Sequence, residues 1–111
     1  MNRWDVYWAD VPFEEAATQS KMRPVVIARD MTVYVLTLKV TSHDARDYDP
    51  YDYTLQYWQE AGLDRKSVVR IRKLSQLKPG AIKNKIGHLH RVDIVEIQRH
   101  MQRYLEEIHA K

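Results

Sequence analysis

KMRPVVIARDMTVYVLTLKVTSH, residues 21–43, holds two apolar, β-branched runs, 24–28 and 32–40. An arginine-proline pair opens the first run and a Thr-Ser-His triplet closes the second. β-branched residues favour the pleated strand, and two such runs joined by a short polar link predict a hairpin. In an antiparallel ladder, residues equidistant from the turn lie opposite each other, so the outer ends of this hairpin bring Arg23 beside Thr41. A permanent cation next to hydroxyls at a strand mouth suits a phosphate. It also suits an ordinary strand start and a polar strand end, and the sequence alone leaves both readings open.

Outward from the hairpin, residues 4–9 alternate in strand fashion, with Asp10, Val11 and Pro12 ending the run because proline cannot donate to a ladder. Residues 13–22 carry neither period and read as a connecting loop. Beyond the hairpin, residues 42–52 are dense in Asp and Tyr and end in turn chemistry at Pro50. Residues 53–58 read as a fourth strand, 59–64 as a turn and 67–71 as a fifth strand. Leu74 and Leu77 flank a short sixth element, broken by Lys78, Pro79 and Gly80. From Arg91 onward apolar residues recur at three- and four-residue spacing, from Val92 through Ile94, Val95, Ile97, Met101 and Tyr104 to Ile108. This predicts an amphipathic C-terminal helix, capped by Asp93 or by the segment 87–90. Several short strands followed by one helix are mainly β (α+β), and argue a small barrel-like antiparallel sheet with the helix over one opening. The absence of alternating helices excludes a doubly wound fold.

The chain of 111 residues is long enough for one core and predicts a single domain over 1–111. It contains no cysteine, which excludes disulfides, thiolate nucleophiles and Cys-based metal sites and fits a reducing compartment. The N-terminus lacks a signal-type apolar core and no stretch approaches membrane length, so a cytoplasmic protein is expected. The net charge of +3 hides a sorted distribution: residues 65–91 hold no acidic residue, while Arg65, Lys66, Arg70, Arg72 and Lys73 begin a run of cations. Such a block suits a polyanion or a merely solvated face. Gly-rich phosphate loops, HExxH and GxSxG are absent, so nucleotide hydrolysis, zinc proteolysis and esterase chemistry find no support. The five histidines have neither the spacing nor the cysteine partners of a metal site. No cofactor is expected.

Cleaving RNA without a metal needs the 2′-hydroxyl aligned on its phosphorus, a cation on the developing phosphorane charge and a group that moves a proton. Arg23 can supply the charge, Thr41 or Ser42 can hold a phosphate oxygen, and His43 titrates near neutrality. At these residues the chain resembles the MazF/PemK-type toxins, the endoribonuclease half of bacterial toxin-antitoxin pairs. The likeness runs through Trp4-Asp5-Val6-Tyr7-Trp8-Ala9-Asp10, where Trp4 replaces the family's leading glycine. It continues through Lys21-Met22-Arg23-Pro24-Val25-Val26-Ile27, Val40-Thr41-Ser42, Ser67-Val68-Val69-Arg70 with Leu74, and Ile86-Gly87-His88-Leu89. The resemblance implies an SH3-like β-barrel with a C-terminal helix. It further implies a homodimer that cuts single-stranded RNA to a 2′,3′-cyclic phosphate without metal and is neutralised by a cognate antitoxin protein. It carries the catalytic pair to Arg23 and Thr41, and an RNA contact to Gln19. Lys21, Ser42 and His43 around that pair, and Arg70, Arg72 and Lys73 from the basic block, complete the expected RNA-binding set. His43 has no counterpart in the family pattern. The competing reading is a non-catalytic nucleic-acid or protein-binding module on the same barrel.

Overall fold

The computed structural model describes residues 1–13, 15, 16, 18–42 and 49–110. Among them six strands and one helix follow one another: β1 (Asp5–Pro12), β2 (Ser20–Asp30), β3 (Val35–Thr41), β4 (Asp52–Thr54), β5 (Val68–Leu77), β6 (Ile82–His88) and α1 (Arg91–His109). The strands form one antiparallel sheet in the order β4-β5-β3-β2-β1-β6. The sheet is open: β4 and β6 are its edges, so the closed barrel expected from the strand count is not formed.

The hairpin read from residues 21–43 is β2 and β3, at the centre of the sheet. Four consecutive residues of β2, Val25 to Ala28, are buried, as a central strand covered on both faces requires. Val26 and Ala28 enter the main core, whereas Val25 joins Ala9 and Leu77 in a smaller cluster. On β3, Leu38 and Val40 enter the main core as the alternation predicts. The hairpin turns at Met31, whose N–H donates to the Tyr34 carbonyl at 2.9 Å. Thr32 sits there at φ +73° while its N–H donates to the Asp30 carboxylate at 2.9 Å. The register is broken once, between Ile27 and Arg29, where Ala28 is an extra residue on β2.

Three elements differ from the sequence reading. The fourth strand is only Asp52–Thr54. The backbone N–H groups of Gln56 and Tyr57, which a longer strand would offer to a ladder, instead donate to the Asp93 carboxylate, each at 3.0 Å. The expected fifth and sixth elements are one strand, β5, continuous through a bulge where Leu38 pairs with Leu74 and Lys39 with Arg70. Residues 82–88, given no strand in the sequence reading, form β6. As an edge strand it pairs only with β1 and leaves Lys83, Asn84 and Lys85 to water, which hides the alternation.

Helix α1 begins where the period changes. His90 is its cap, its Nδ1 accepting from the Val92 N–H at 3.1 Å. Asp93 is fully buried in the first turn, where a carboxylate suits the helix dipole. Besides the two backbone donors it accepts the Tyr53 hydroxyl at 2.5 Å. Burial, and then Asp93, hold the Tyr53 phenol well above its usual range. Ile97 is wholly buried, with Ile94, Met101 and Tyr104 packed beside it, and the helix lies on β5 and β4. No described helix is long and apolar enough to cross a membrane.

The two ends of the chain are tied together at β1. Trp4, where the family pattern carries glycine, has φ +73°, a left-handed conformation that costs a side-chain-bearing residue about 1–2 kcal/mol. The strain is held by burial of the indole in the core and by backbone bonds from Trp4 to Ile27 (2.7 Å) and from Leu89 to Trp4 (3.0 Å). Next to it Asp5 is buried. Burial alone would raise its carboxyl, but the His88 ring at 2.8 Å, the Asn2 N–H at 3.0 Å and Lys85 at 3.6 Å together bring it below the ordinary value.

Candidate active site at the mouth of the hairpin

Pro24 marks the place where the central hairpin opens. The β2–β3 ladder ends at Val25 opposite Lys39. Beyond it β2 continues paired only to β1, down to Ser20, while β3 continues paired only to β5, to Thr41. Proline has no N–H to offer a partner on either side, so its position at this fork follows from its chemistry. Between the parted strands lies a cavity of about 330 Å³. Lys21, Met22, Arg23 and Pro24 come to it from β2, and Val40 and Thr41 from the end of β3, followed by Ser42. Trp8 of β1, residues 62–65, Ser67 and Ile86 of β6 complete its walls.

Continuing the register past Val25 and Lys39, beyond the bulge at Ala28, would set Arg23 opposite Thr41; the strands have parted there, and both residues line the cavity between them. Directly paired residues share a face of the sheet, so Ala9 and Arg23 lie in one row on one side of the gap, and Thr41 and Val68 in one row on the other. The adjacent row reads Tyr7, Val25, Lys39, Arg70 and Asp52 on that same face. Behind the wall, the turn at residues 59–62 rests directly on β6. A Cβ placed on Gly87 would stand 2.1 Å from the Ala61 carbonyl oxygen, and one on Gly62, itself at φ +93°, 2.4 Å from that of Ile86. Both positions therefore require glycine, and this backbone-on-backbone contact fixes where Gly62 and Ile86 line the cavity.

A second cavity, of about 250 Å³, adjoins the first and shares Arg23 with it. Pro12, Phe13 and Glu15 form its rim, and Lys39, Arg70 and Lys73 its base. Arg70 is only 5 % exposed and is held by Asp52 at 3.3 Å and Asp49 at 3.8 Å. In these two residues the acidic stretch beside a proposed RNA groove has a local role, balancing the charge of a buried arginine.

The expected site residues divide accordingly. Arg23, Thr41, Lys21 and Ser42 line the first cavity; Arg70 and Lys73 line the second. Arg72 turns the other way, its guanidinium 5.8 Å from the centre of the Tyr104 ring of α1, and lines neither cavity. Gln19 is exposed in the loop, its N–H donating to Ala16 and its carbonyl accepting from Phe13, and it lines neither. His43, with most of the predicted turn after it, lies outside the described residues. Sequence reasoning missed Trp8, Met22, residues 62–65 and Lys39. Trp8 shares the alternation of Val6, which does not mark it as a cavity residue, and it is 39 % exposed. Asp5, Tyr51 and Tyr53, whose acidities are displaced, all lie outside both cavities. Chemically, the first cavity offers a cation and hydroxyls to a phosphate and, in Trp8, Met22 and Leu63, an apolar surface to a base.

Over residues 2–105 the sequence matches the PemK-like, MazF-like toxins of type II toxin-antitoxin systems. The chain belongs to this family. Solved structures of MazF-type proteins share its fold. An endoribonuclease in complex with its cognate antitoxin, from a mycobacterial species, superposes with TM-score 0.71 at 14 % identity, over 96 % of this chain and 93 % of that one. A MazE–MazF structure from Deinococcus radiodurans gives 0.68 at 17 % identity, over 95 % and 94 %. The Mycobacterium tuberculosis toxin MazF-mt6 gives 0.67 at 16 % identity, over 90 % and 96 %. No curated protein matches the sequence. At these identities the shared fold is the finding.

Proposed function

We propose that this MazF-like toxin is a metal-independent endoribonuclease whose reaction centre is the first cavity. The observation that carries the reading is the meeting of Arg23 and Thr41 in one cavity where the strands part. The substrate is single-stranded RNA, threaded so that one phosphodiester lies between these two side chains. The 2′-hydroxyl loses its proton and attacks phosphorus. The guanidinium of Arg23 neutralises the charge that grows on the non-bridging oxygens, and the Thr41 hydroxyl donates to one of them. The bond to the 5′-oxygen breaks and that oxygen takes a proton, leaving a 2′,3′-cyclic phosphate. An exposed Trp8 beside the cation gives the neighbouring base a stacking surface. The protein works in the cytoplasm as a homodimer and is silenced by a cognate antitoxin. A relative of the same fold, solved with its own antitoxin, supports that partner.

Incubation of single-stranded RNA with the protein in EDTA, read on a gel and by the acid-lability of the new ends, tests the reading. The parent cuts and leaves cyclic ends. Arg23→Ala falls by about 10²–10³-fold, the size expected for losing one charge-stabilising donor. An Arg23→Ala protein as active as the parent removes Arg23 from the reaction. RNA that is retained but never cut favours the binding-module alternative.

A further inference from the structure

The cavity wall at residues 62–65 ends in a charged pair that the reaction just described does not use. Asp64 and Arg65 are both exposed and both line the first cavity, and Asp64 is the one carboxylate among the described residues that do so. An ionised carboxylate only accepts, and it repels a phosphate, so the phosphate seat gives no reason for it. The backbone under the pair is held on both sides. Leu63 is buried, and its N–H donates to the Trp58 carbonyl at 3.1 Å. The hydroxyl of buried Ser67 donates to the Arg65 carbonyl at 2.8 Å. Two exposed side chains thus stand on an anchored backbone, which sets their position before a ligand arrives. The Arg65 Nε lies 3.6 Å from Asp64 Oδ1, beyond hydrogen-bond length, and so weak an exposed pair yields its groups readily to a ligand.

Register separates the seat of a base from that of its phosphate. Trp8 pairs with Pro24, and Met22 stands two residues from Pro24 on β2, so these three share one face of the sheet. Arg23, between Met22 and Pro24, takes the other. Leu63 packs in the main core with Val6 and Val26, which is the face of Trp8. A nucleotide laid through the gap between β2 and β3, with its phosphate at Arg23 and Thr41, has its base on the side of Trp8, Met22 and Leu63. The edge of that base meets Asp64 and Arg65. Of the four RNA bases only guanine presents an acceptor, O6, followed by two donors, N1–H and the N2 amino group. A carboxylate beside a guanidinium is its complement, two acceptors next to a donor. We infer that the first cavity seats a guanine beside the scissile phosphate, Asp64 accepting from N1–H and the N2 amino group and Arg65 donating to O6. This inference rests on the nuclease reading for its biological substrate. Its chemistry is the choice of one base, which can be measured without any cleavage.

Calorimetric titration with short strands of 2′-deoxyuridine, plain or carrying a single guanine, adenine, cytosine or hypoxanthine, provides the test. Strands without 2′-hydroxyls cannot be cleaved by the proposed route, so only binding is read. The parent binds the guanine strand about ten-fold more tightly than the adenine, cytosine and plain strands, the discrimination of one bidentate pair. Hypoxanthine, which is guanine without the N2 amino group, falls between. In Asp64→Ala the ratio of guanine to adenine affinity falls towards one, and in Asp64→Glu it returns. Because the ratio is read within each variant, a loss of folded protein common to all strands cancels. Equal binding of all strands by the parent overturns the inference, as does a guanine advantage that survives Asp64→Ala. RNA that is cut with no preference for guanine at the break overturns it too and leaves the nuclease reading standing. A protein that prefers guanine but cuts no RNA overturns the nuclease reading alone.

Discussion

Removing the Asp93 carboxylate disconnects the helix from the segment that leads into the wall of the first cavity. Asp93 is completely buried, with Oδ1 receiving the Tyr53 hydroxyl at 2.5 Å and the Gln56 N–H at 3.0 Å, and Oδ2 receiving the Tyr57 N–H at 3.0 Å. Asp93→Ala leaves three donors without their acceptor, the Tyr53 hydroxyl in a buried place and the Gln56 and Tyr57 N–H groups in partly buried ones. At about 1–3 kcal/mol for each stranded group, discounted because they act together, the loss is about 3–5 kcal/mol. That is a large part of the roughly 5–15 kcal/mol that holds a domain of this size, and lowers Tm by about 12–20 °C. Asp93→Asn has the same shape. Its carbonyl can still take Tyr53 and Gln56, but its amide then faces the Tyr57 N–H, donor against donor. One contact is lost instead of three, and the loss is about 2 kcal/mol. Urea titrations followed by far-UV circular dichroism and tryptophan fluorescence measure both. A loss below about 1 kcal/mol for Ala, or equal losses for Ala and Asn, refutes the account of a three-donor anchor.

Gly87→Ala must push its Cβ against the Ala61 carbonyl, 2.1 Å away, where only backbone can yield. A loss of about 1–3 kcal/mol is expected, together with a fall in RNA cleavage at temperatures where the variant is still folded, since Gly62 and Ile86 shift with the contact. Unchanged stability and activity would sink the argument for that contact. Asp5 resists protonation in the folded state, so its contribution is complete above the ordinary carboxylate value of 3.8 and is lost as pH falls through the lower folded value. Urea midpoints between about pH 2 and 6 should therefore fall more steeply on the acid side for the parent than for Asp5→Asn, and parallel curves would contradict it.

The centre of the fold was legible because its signal is local. The β-branched runs on either side of Asp30 place β2 and β3, and the change of period at Arg91 places α1, with no tertiary information. That Arg23 and Thr41 meet at the mouth could be read from chain order once the hairpin was accepted, although their register depends on the bulge at Ala28, which chain order does not show. What escaped the sequence depends on partners distant in the chain. The fourth strand stops at Thr54 because Asp93, nearly forty residues later, takes the next amides. Strand β6 was missed because an edge strand need only look like one on the side facing β1. Arg70 and Arg72 read as equals in a basic block, and folding sends the first to two buried carboxylates and the second to an aromatic ring on the helix. Charge along the chain records how many cations there are; it does not record which face of the sheet each one takes.

The extra residue at Ala28 bears on how this hairpin tolerates insertions and deletions. Near the turn, Asp30 pairs with Val35 and Arg29 with Leu36; past Ala28 the register moves by one, so that Ile27 pairs with Thr37 and Val25 with Lys39. Continued without that step, the turn-side register would set Arg23 opposite Ser42 and turn Thr41 to the other face. The bulge thus sets the count between the turn and the cavity. Length changes at the turn, residues 31–34, leave the count between bulge and cavity intact, and so does loss of the extra residue at 28 itself, since Ile27 is then joined to Arg29 and still meets Thr37. A residue lost between 24 and 27 with the bulge kept sets Arg23 opposite Val40 instead.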